Sequence, residues 1–203
     1  MRRFHDMHKG QRIWVCGTGP SLLLVDETRL HPSDIIIACN SAVLHFANAD
    51  YMIWVDGEFC KADDCIEILA NLRPTQKCIN LNPLVKSPNR FTAEIFHQSQ
   101  NYGDWKIRKT RHFPGNVTHR AVSFAFAMGA REVILAGCDC AGHHPYHPEQ
   151  DKFVQPFDED LYLWQMMKWT NPNLPIFSIS HDSKICFDKV DINTLYVDSE
   201  CKN

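Results

Sequence analysis

The sequence predicts an α/β fold in which helices cover both faces of a doubly wound, mostly parallel sheet. Two observations lead to this prediction. The apolar segments are continuous runs rather than alternating ones, which is typical of strands buried on both faces. Helical patterns fit between these runs, as the crossovers between parallel strands require. Together they predict a Rossmann-like domain.

Each element can be placed from its pattern. The predicted strands cover residues 13–16, 35–39, 51–55, 77–81, 133–136 and 175–179. The predicted helices cover residues 62–72, 116–128 and 158–169. Gly129 follows the second helix as a stop signal. The third helix carries a stripe that predicts packing against the sheet, formed by Leu161, Trp164, Gln165, Met167 and Trp169.

Length, composition and charge set limits on the class of protein. With 203 residues, we predict a single domain over residues 1–203, in which the irregular segment 83–113 is an insertion or a lid. A hydrophobic fraction of 44% and a charged fraction of 22% are ordinary for a globular chain and exclude a disordered one. A net charge of -3 disfavours nucleic acid as the main partner. The basic run 106–112 is either a solvated edge strand or a local basic rim.

The nine cysteines do not predict a disulfide scaffold. Their number is odd, the first residues lack the apolar stretch of a secretory signal, and Cys16, Cys39, Cys78 and Cys186 lie within apolar runs. We therefore predict free thiols and a cytoplasmic protein. No apolar run approaches the roughly 20 residues of a membrane span, so no membrane partner is expected. A homo-oligomer is left open.

In an open parallel sheet, ligands bind beyond the carboxyl ends of the strands. The residues after four of the predicted strands are therefore candidate binding residues: Gly17, Thr18, Gly19, Pro20, Ser21, Asn40, Ser41, Asp56, Gly137 and Asp139. Gly, Asn and Asp are also the normal turn formers, so any one of them alone indicates only a turn. Their recurrence at four strand ends favours a ligand site.

The loop at residues 17–21 is the most informative of these stretches. Two glycines follow a strand directly and Pro20 suits a first helical position, so exposed amides there could hold a phosphate. The loop is not a P-loop, because no Gly-Lys-Ser/Thr follows, and Leu22 replaces the third glycine of the dinucleotide fingerprint. A second helix start contains Gly115, Asn116 and Thr118, where Asn116 or Thr118 is an N-cap that can also face a ligand.

Three histidines, His143, His144 and His147, lie within five residues and suggest a metal site at first sight. Pro145 and Pro148 predict an extended loop instead, so we predict no metal ligands here. One of the histidines is interpreted as a general acid or base, or as a donor to a phosphate, because its ordinary pKa is close to neutral. Surface histidines without a role are the alternative.

Two blocks of the sequence resemble a known superfamily. The first is residues 16–22 with Asp26, Asn40, Ser41, residues 49–51 and Asp56, and the second is residues 115–118 with Ala121 and residues 125–139. They resemble the DUF115-type superfamily, which includes the 6-hydroxymethylpterin diphosphokinase MptE-like proteins, and the CMP-sialic-acid-dependent sialyltransferases of glycosyltransferase family 42. The resemblance covers about residues 13–56 and 115–147. It also implies a small bacteriophage-type member, in the host cytoplasm.

The resemblance implies a Rossmann-like domain that binds an activated nucleotide. Gly17, Thr18, Gly19 and Ser21 would line the phosphate loop, Asn40 would contact the nucleotide or its leaving phosphate, and Asp139 would contact the ribose. In the sialyltransferases a histidine beyond the second block is the general base and no metal is required, so no cofactor is expected. Thr18 stands where those enzymes carry an asparagine.

The leading expectation is a nucleotide-sugar-dependent glycosyltransferase-like enzyme with metal-independent histidine acid/base chemistry. The first alternative is an ATP- and Mg²⁺-dependent diphosphokinase-like transferase, with Asp56, Glu58 and Asp139 as carboxylate ligands. The others are a non-catalytic nucleotide-binding phage accessory protein and a glycosyltransferase that acts on modified DNA bases. The acceptor would bind at residues 83–113, at the histidine loop or at a second subunit.

Overall fold

An all-parallel sheet forms the centre of the fold. The structure is a computed structural model, and it describes residues 4–54, 77–80, 94–95, 115–140 and 157–197. Within these ranges the sheet has eight strands: β1 (Arg12–Cys16), β2 (Ile35–Cys39), β3 (Tyr51–Trp54), β4 (Lys77–Asn80), β5 (Glu94–Ile95), β6 (Glu132–Ala136), β7 (Ile176–Ser178) and β8 (Asp188–Lys189). All six predicted strands are present, and the predicted α/β fold class is confirmed.

The strand order is β5-β4-β3-β2-β1-β6-β7-β8. The chain runs outward from β1 to β5 and then returns to the other side of β1 with β6. Cys16 in β1 is aligned with both Ala38 in β2 and Ala136 in β6. The residues that follow these three strands therefore meet at one edge of the sheet, where the strand order reverses. In doubly wound sheets this is the place where ligands bind.

Two α-helices lie within the described residues, α1 (Val117–Ala127) and α2 (Phe157–Thr170). Short 3-10 segments cover Pro20–Leu24, Glu27–Arg29, Asn40–His45 and Ile192–Thr194. Helix α1 ends at Met128, and Gly129 follows with a φ of +90°, as the stop signal predicts. The predicted helix at 62–72 and the basic run 106–112 lie outside the described residues, and so does the segment 83–113 apart from β5.

Successive side chains of each central strand enter two different cores. Ile13 and Val15 pack with α1 and α2 on one face of the sheet. Trp14 and Cys16 pack on the other face against the 3-10 segments and the partly buried apolar residues near 192–196. Because both faces are covered, residues 13–16, 35–39 and 133–136 of the central strands are all apolar, which explains the continuous runs in the sequence.

The stripe predicted on α2 is correct only in part. Trp164 and Met167 are fully buried, and Leu161 packs beside them. Trp169 is 76% exposed and Gln165 is also exposed, so the prediction that they pack against the sheet is wrong. The reason is helical geometry, because position 169 lies about 140° around the helix from position 164.

The five cysteines whose side chains the structure describes, Cys16, Cys39, Cys138, Cys140 and Cys186, are free thiols. Cys16, Cys39 and Cys138 are buried, and burial raises the pKa of each thiol well above its ordinary value. Cys186 is only half-buried. The interpretation of the buried cysteines as small apolar residues is confirmed for Cys16 and Cys39, whereas the side chain of Cys78 lies outside the described residues. In the described part of the chain, no helix has the length and apolar character to cross a bilayer.

Candidate functional site

The loops that follow β1 and β6 form one hydrogen-bonded unit at the reversal of the strand order. Gly17 N–H donates to the Ala136 carbonyl at 2.8 Å, and Gly19 N–H donates to the Gly137 carbonyl at 2.8 Å. In return, Gly137 N–H donates to Ser21 Oγ at 2.7 Å. The structure thus brings the predicted site residues 17–21 and 137–139 together.

The glycines of this unit are required by the approach of one loop to the other. A Cβ on Gly17 would overlap the carbonyl of Gly137, and a Cβ on Gly137 would overlap the carbonyl of Gly17. Gly137 also has a φ of +63°, which favours glycine by itself. A Cβ on Gly19 would come within 2.5 Å of Asp139 Oδ2. These glycines are therefore explained by contacts within the protein.

This packing corrects the interpretation of the loop as a cradle of exposed amides. Besides the bonds of Gly17 and Gly19, Ser21 N–H donates to Asp139 Oδ2 at 2.9 Å, and Leu22 N–H donates to the Gly19 carbonyl at 3.1 Å. The helix expected at Pro20 is a 3-10 segment of five residues. A phosphate therefore finds the amides of these four residues already paired. The two glycines in the sequence indicate that another group approaches this backbone closely, but they do not indicate which group it is.

Asp139 occupies the centre of the site. Its side chain is buried, Oδ2 accepts the Ser21 N–H, and Oδ1 is buried without a hydrogen-bond partner among the described residues. An unpaired buried carboxylate oxygen is unfavourable, so such atoms call for an explanation such as a bound water or ligand. A donor group on a ligand would satisfy it.

Asn40 offers a second acceptor at the same edge. Cys16 in β1 is aligned with Ala38 in β2, and Thr18 and Asn40 each lie two residues after that aligned pair. Its Oδ1 is also buried and lacks a hydrogen-bond partner in the described part of the chain. Asn40 has a φ of +52°, and Cys140, next to Asp139, has a φ of +50°. Left-handed backbone at non-glycine residues is concentrated at functional sites. Ser41, after Asn40, is buried in the 3-10 segment.

Cys140 is not an activated nucleophile. Burial raises the pKa of its thiol to about 12, so the thiol is protonated at neutral pH. In the described part of this edge, the groups available to a ligand are therefore the buried oxygen acceptors of Asp139 and Asn40, and not a Cys140 thiolate.

The start of α1 packs against the glycine loop. Thr118 Cγ2 lies 3.1 Å from the position that a Cβ on Gly17 would take. Asn116 is the N-cap, because its Oδ1 accepts from Thr118 N–H at 3.0 Å and from His119 N–H at 3.3 Å. Its Nδ2 donates to Asp160 Oδ1 at 2.9 Å, which ties α1 to α2. The N-cap prediction is confirmed for Asn116, and Gly115 lies just before it against the His119 ring.

Sequence reasoning missed His119. Its ring is fully buried, stacks on Trp164 with centroids 3.8 Å apart, and places Nδ1 2.8 Å from Asn116 Oδ1. Because Asn116 Oδ1 accepts, Nδ1 is assigned the proton. Burial lowers the pKa of His119 to about 3. The available signal was a histidine in the first turn of a helix that is mostly apolar from Ala121 onward.

The segment after β7 was missed as well. Ser183 Oγ donates to the Asp139 carbonyl at 3.3 Å, and Lys184 N–H donates to the same oxygen at 3.4 Å. Ser180 and Ser183 are both buried. The rule that marked the other strand ends applies equally to the end of the predicted strand 175–179, so this third side of the site could have been found from the sequence.

Comparison with known proteins assigns the chain to a family. A family model described as 6-hydroxymethylpterin diphosphokinase MptE-like matches residues 1–144, which is more than half of the chain. The chain belongs to this MptE-like family. The curated proteins yield no significant match.

Solved structures with the same fold as the MptE-like chain include two kinds of glycosyltransferase. One is the MAf glycosyltransferase from Magnetospirillum magneticum AMB-1, with a TM-score of 0.58 and 14% identity, over 95% of this chain and 37% of that one. Another is the monofunctional alpha-2,3-sialyltransferase Cst-I from Campylobacter jejuni, with a TM-score of 0.53 and 16% identity, over 86% of this chain and 78% of that one. An alpha-2,3-sialyltransferase from Campylobacter jejuni in apo form has a TM-score of 0.50 and 16% identity, over 91% of this chain and 82% of that one.

These likenesses establish the fold of the MptE-like chain. The chain spans only 37% of the length of the MAf glycosyltransferase, so that enzyme contains much that this chain does not match.

Several predicted site residues lie outside the described part of the MptE-like chain. They are Asp56, Glu58, His143, His144 and His147. Their roles in acid/base chemistry or metal binding stay predictions. Within the described ranges, no group of three or more His, Cys, Asp and Glu side chains converges to hold a metal ion. A magnesium site at Asp139 would therefore depend on Asp56 and Glu58.

We expect His119 to make the stability of the MptE-like chain depend on pH. The pKa of His119 is about 3 in the folded chain and about 6.5 when unfolded, so the unfolded state takes up the proton first as the pH falls. Between about pH 7.5 and pH 5 this residue should remove about 2 kcal/mol of unfolding free energy. Urea denaturation at the two pH values, on wild type and His119→Gln, measures it.

The substitution His119→Gln should abolish that part of the pH dependence, because glutamine does not titrate. His31 is exposed, so His31→Gln is the matched control and should retain the wild-type loss. An equal pH dependence in wild type and His119→Gln would contradict the assignment of this effect to the buried imidazole.

Proposed function

We propose that this MptE-like chain binds a nucleotide-sugar at the strand-reversal edge and acts as a glycosyltransferase-like enzyme. The observation that carries the proposal is the pair of buried acceptor oxygens, Asp139 Oδ1 and Asn40 Oδ1, which lack partners among the described residues at that edge. The fold likeness to glycosyltransferases supports the same class of reaction.

The chemistry of these acceptors selects the nucleoside end of a nucleotide. Ribose hydroxyls and an exocyclic amino group are hydrogen-bond donors, and each can satisfy a buried oxygen. A phosphate carries only acceptors and negative charge, so it is repelled by the Asp139 carboxylate. The proposed donor therefore places its ribose or base toward Asp139 and Asn40, and its phosphate farther away.

The proposed transfer breaks the bond between the sugar and the donor phosphate and forms a bond to an acceptor oxygen. One of His143, His144 and His147 would remove the proton from the acceptor hydroxyl or supply a proton to the leaving phosphate. In this scheme the paired loops at Gly17 and Gly137 have a structural role, because Ser21 in the first loop holds Asp139 in place.

A second candidate function is favoured by the family. The description of the matching model names a diphosphokinase, which transfers pyrophosphate from ATP. Such chemistry normally uses Mg²⁺ between the phosphates and protein carboxylates. Asp139, with Asp56 and Glu58, would be the ligands in this case, and Mg²⁺ would neutralise the transferred group.

A ligand panel tests the two functions. The melting temperature of the wild-type chain is measured with CMP- and UDP-sugars in the presence of a chelator, and with ATP and Mg²⁺. A nucleotide-sugar at about 100 times its Kd should add about 2.7 kcal/mol of stability, or roughly 5–10 °C in Tm for a chain of this size. Release of free nucleotide, measured alongside, reports turnover.

Each outcome decides between the candidates. Stabilisation by a nucleotide-sugar without metal, together with turnover that the triple substitution of His143, His144 and His147 abolishes, supports the glycosyltransferase-like function. Stabilisation only by ATP with Mg²⁺ supports the diphosphokinase-like function. Binding without turnover indicates a non-catalytic nucleotide-binding protein, and no shift with either class contradicts nucleotide binding.

A further inference from the structure

Two lysines are held on neighbouring carbonyl oxygens close to the candidate site. Lys168 Nζ donates to the Cys186 carbonyl at 2.6 Å, and Lys189 Nζ donates to the Ile185 carbonyl at 3.3 Å. Burial lowers the pKa of Lys189, the Asp139 carboxylate raises it, and the charge of Lys168 lowers it to a smaller extent. Asp139 therefore lies within electrostatic reach of Lys189.

The charges of this pair are not balanced by the described part of the protein. Lys168 has one carboxylate neighbour, Asp188 at 3.5 Å, but that side chain is 80% exposed and such pairs contribute little. Lys189 is partly buried, burial lowers its pKa, and no carboxylate among the described residues lies within ion-pair distance of it. A partly buried cation without a close anion favours an anionic ligand.

The same segment is continuous with the candidate site. Ser183 and Lys184 both donate to the Asp139 carbonyl, and the chain then runs through Ile185 to Lys189 in β8. In the loop after β1, four backbone amides that a phosphate could have used are paired within the protein: those of Gly17, Gly19, Ser21 and Leu22. Lys189, in the segment whose residues 183 and 184 donate to the Asp139 carbonyl, is an alternative cation for a phosphate that the sequence did not suggest.

We propose that Lys189, assisted by Lys168, binds the phosphate of the nucleotide whose nucleoside end faces Asp139. The inference rests on the proposed nucleotide site, and it assigns the phosphate-recognising charge to the segment after β7 rather than to the loop after β1. Lysine suits this role because its ammonium is a compact point charge with three donors. One of these donors is occupied by the Ile185 carbonyl.

The test compares the affinity for a nucleotide with that for its nucleoside. Kd values for CMP and cytidine, UMP and uridine, and AMP and adenosine are measured by calorimetry on wild type and Lys189→Met. The wild type should prefer the phosphate-bearing member of the pair that binds best. In Lys189→Met this preference should fall roughly tenfold to a hundredfold, with nucleoside affinity unchanged, because a hydrogen bond to a charged group is lost.

Three further variants sharpen the test. Lys189→Arg keeps the charge and should keep most of the preference. Lys168→Met should lower the preference in the same direction by a smaller factor, and it serves if Lys189→Met does not fold by circular dichroism. Lys9→Met is the matched control, because Lys9 is exposed in the turn before β1 at the opposite edge and should leave the preference unchanged.

The outcomes separate this inference from the proposed function. If the wild type binds neither nucleosides nor nucleotides, the proposed function fails and the inference fails with it. If it binds both equally, or if Lys189→Met and Lys168→Met keep the full preference, only the inference is overturned. Loss of the preference in Lys184→Met alone, at the exposed neighbour in the same segment, overturns it as well.

Discussion

Replacing Gly137 by alanine should lower the free energy of unfolding by about 2–5 kcal/mol, the largest stability loss expected from any single methyl group added here. Left-handed backbone costs a residue with a Cβ about 1–2 kcal/mol, and Gly137 has a φ of +63°. The added carbon would also overlap the Gly17 carbonyl, and overpacking of this kind costs about 1–3 kcal/mol. Relief is difficult because the group it meets is backbone, fixed by the Gly17–Ala136 hydrogen bond.

Gly10 provides the matched control for this substitution. It has a φ of +81°, but nothing lies within 4 Å of the position of its Cβ. Gly10→Ala should therefore lose only the part due to left-handed backbone, about 1–2 kcal/mol. Urea denaturation of both variants measures the difference, which reports the overlap of the two loops. Equal losses in the two variants would show that the loops separate easily and that their close approach does not require glycine.

The strands could be predicted from the sequence because their pattern is local. Apart from Arg12 and Glu132 at their first positions, β1, β2 and β6 are apolar throughout, since Ile13 and Val15 enter one core while Trp14 and Cys16 enter the other. The edge at which ligands bind follows from the parallel direction of the strands alone. Asn40 and Asp139 could therefore be selected as site residues without any structure, from their position after a strand.

The contacts of the site could not be predicted because they join distant parts of the chain. The glycines at 17 and 137 indicate a close approach, but their partners lie more than 100 residues away, as the bond between Gly137 and Ser21, 116 residues apart, illustrates. A free glycine loop and a packed one have the same sequence pattern. The burial of His119 likewise depends on Trp164 of α2, which nothing local to α1 indicates.

Because the glycine loop after β1 is packed rather than free, it has a different role in this chain from the one that the sequence pattern suggests. The pattern suggested a phosphate cradle, whereas the amides of Gly17, Gly19, Ser21 and Leu22 are paired, and the loop holds a buried carboxylate through Ser21. Specificity is then expected from Asp139 and Asn40, which present acceptors, and charge recognition from a different segment. The most direct test of the role proposed for Asp139 is the substitution Asp139→Asn, which replaces one carboxylate oxygen by an amide nitrogen.

In Asp139→Asn, nucleotide affinity should fall by about a hundredfold. One oxygen of Asp139 accepts the Ser21 N–H at 2.9 Å, and the other is the buried acceptor proposed for the ligand. An asparagine supplies only one acceptor, so either Ser21 or the ligand must face an NH₂ group. Loss of a charge-assisted hydrogen bond to a ligand corresponds to about 1.5–3 kcal/mol, and the facing donors increase the loss. Calorimetry with the best-binding nucleotide and its nucleoside measures the effect, and both affinities should fall together.

Asp50 is the matched control, because its Oδ2 accepts the Ile36 N–H at the same distance of 2.9 Å. Ile36 lies near the amino end of β2, so Asp50 is far from the proposed site although it makes the same kind of bond. Asp139→Asn and Asp50→Asn should lose similar amounts of stability, whereas only the first should lose nucleotide binding. If Asp139→Asn binds as tightly as the wild type, its buried oxygen does not contact the ligand. The nucleotide would then have to bind at a place other than the loops that follow β1 and β6.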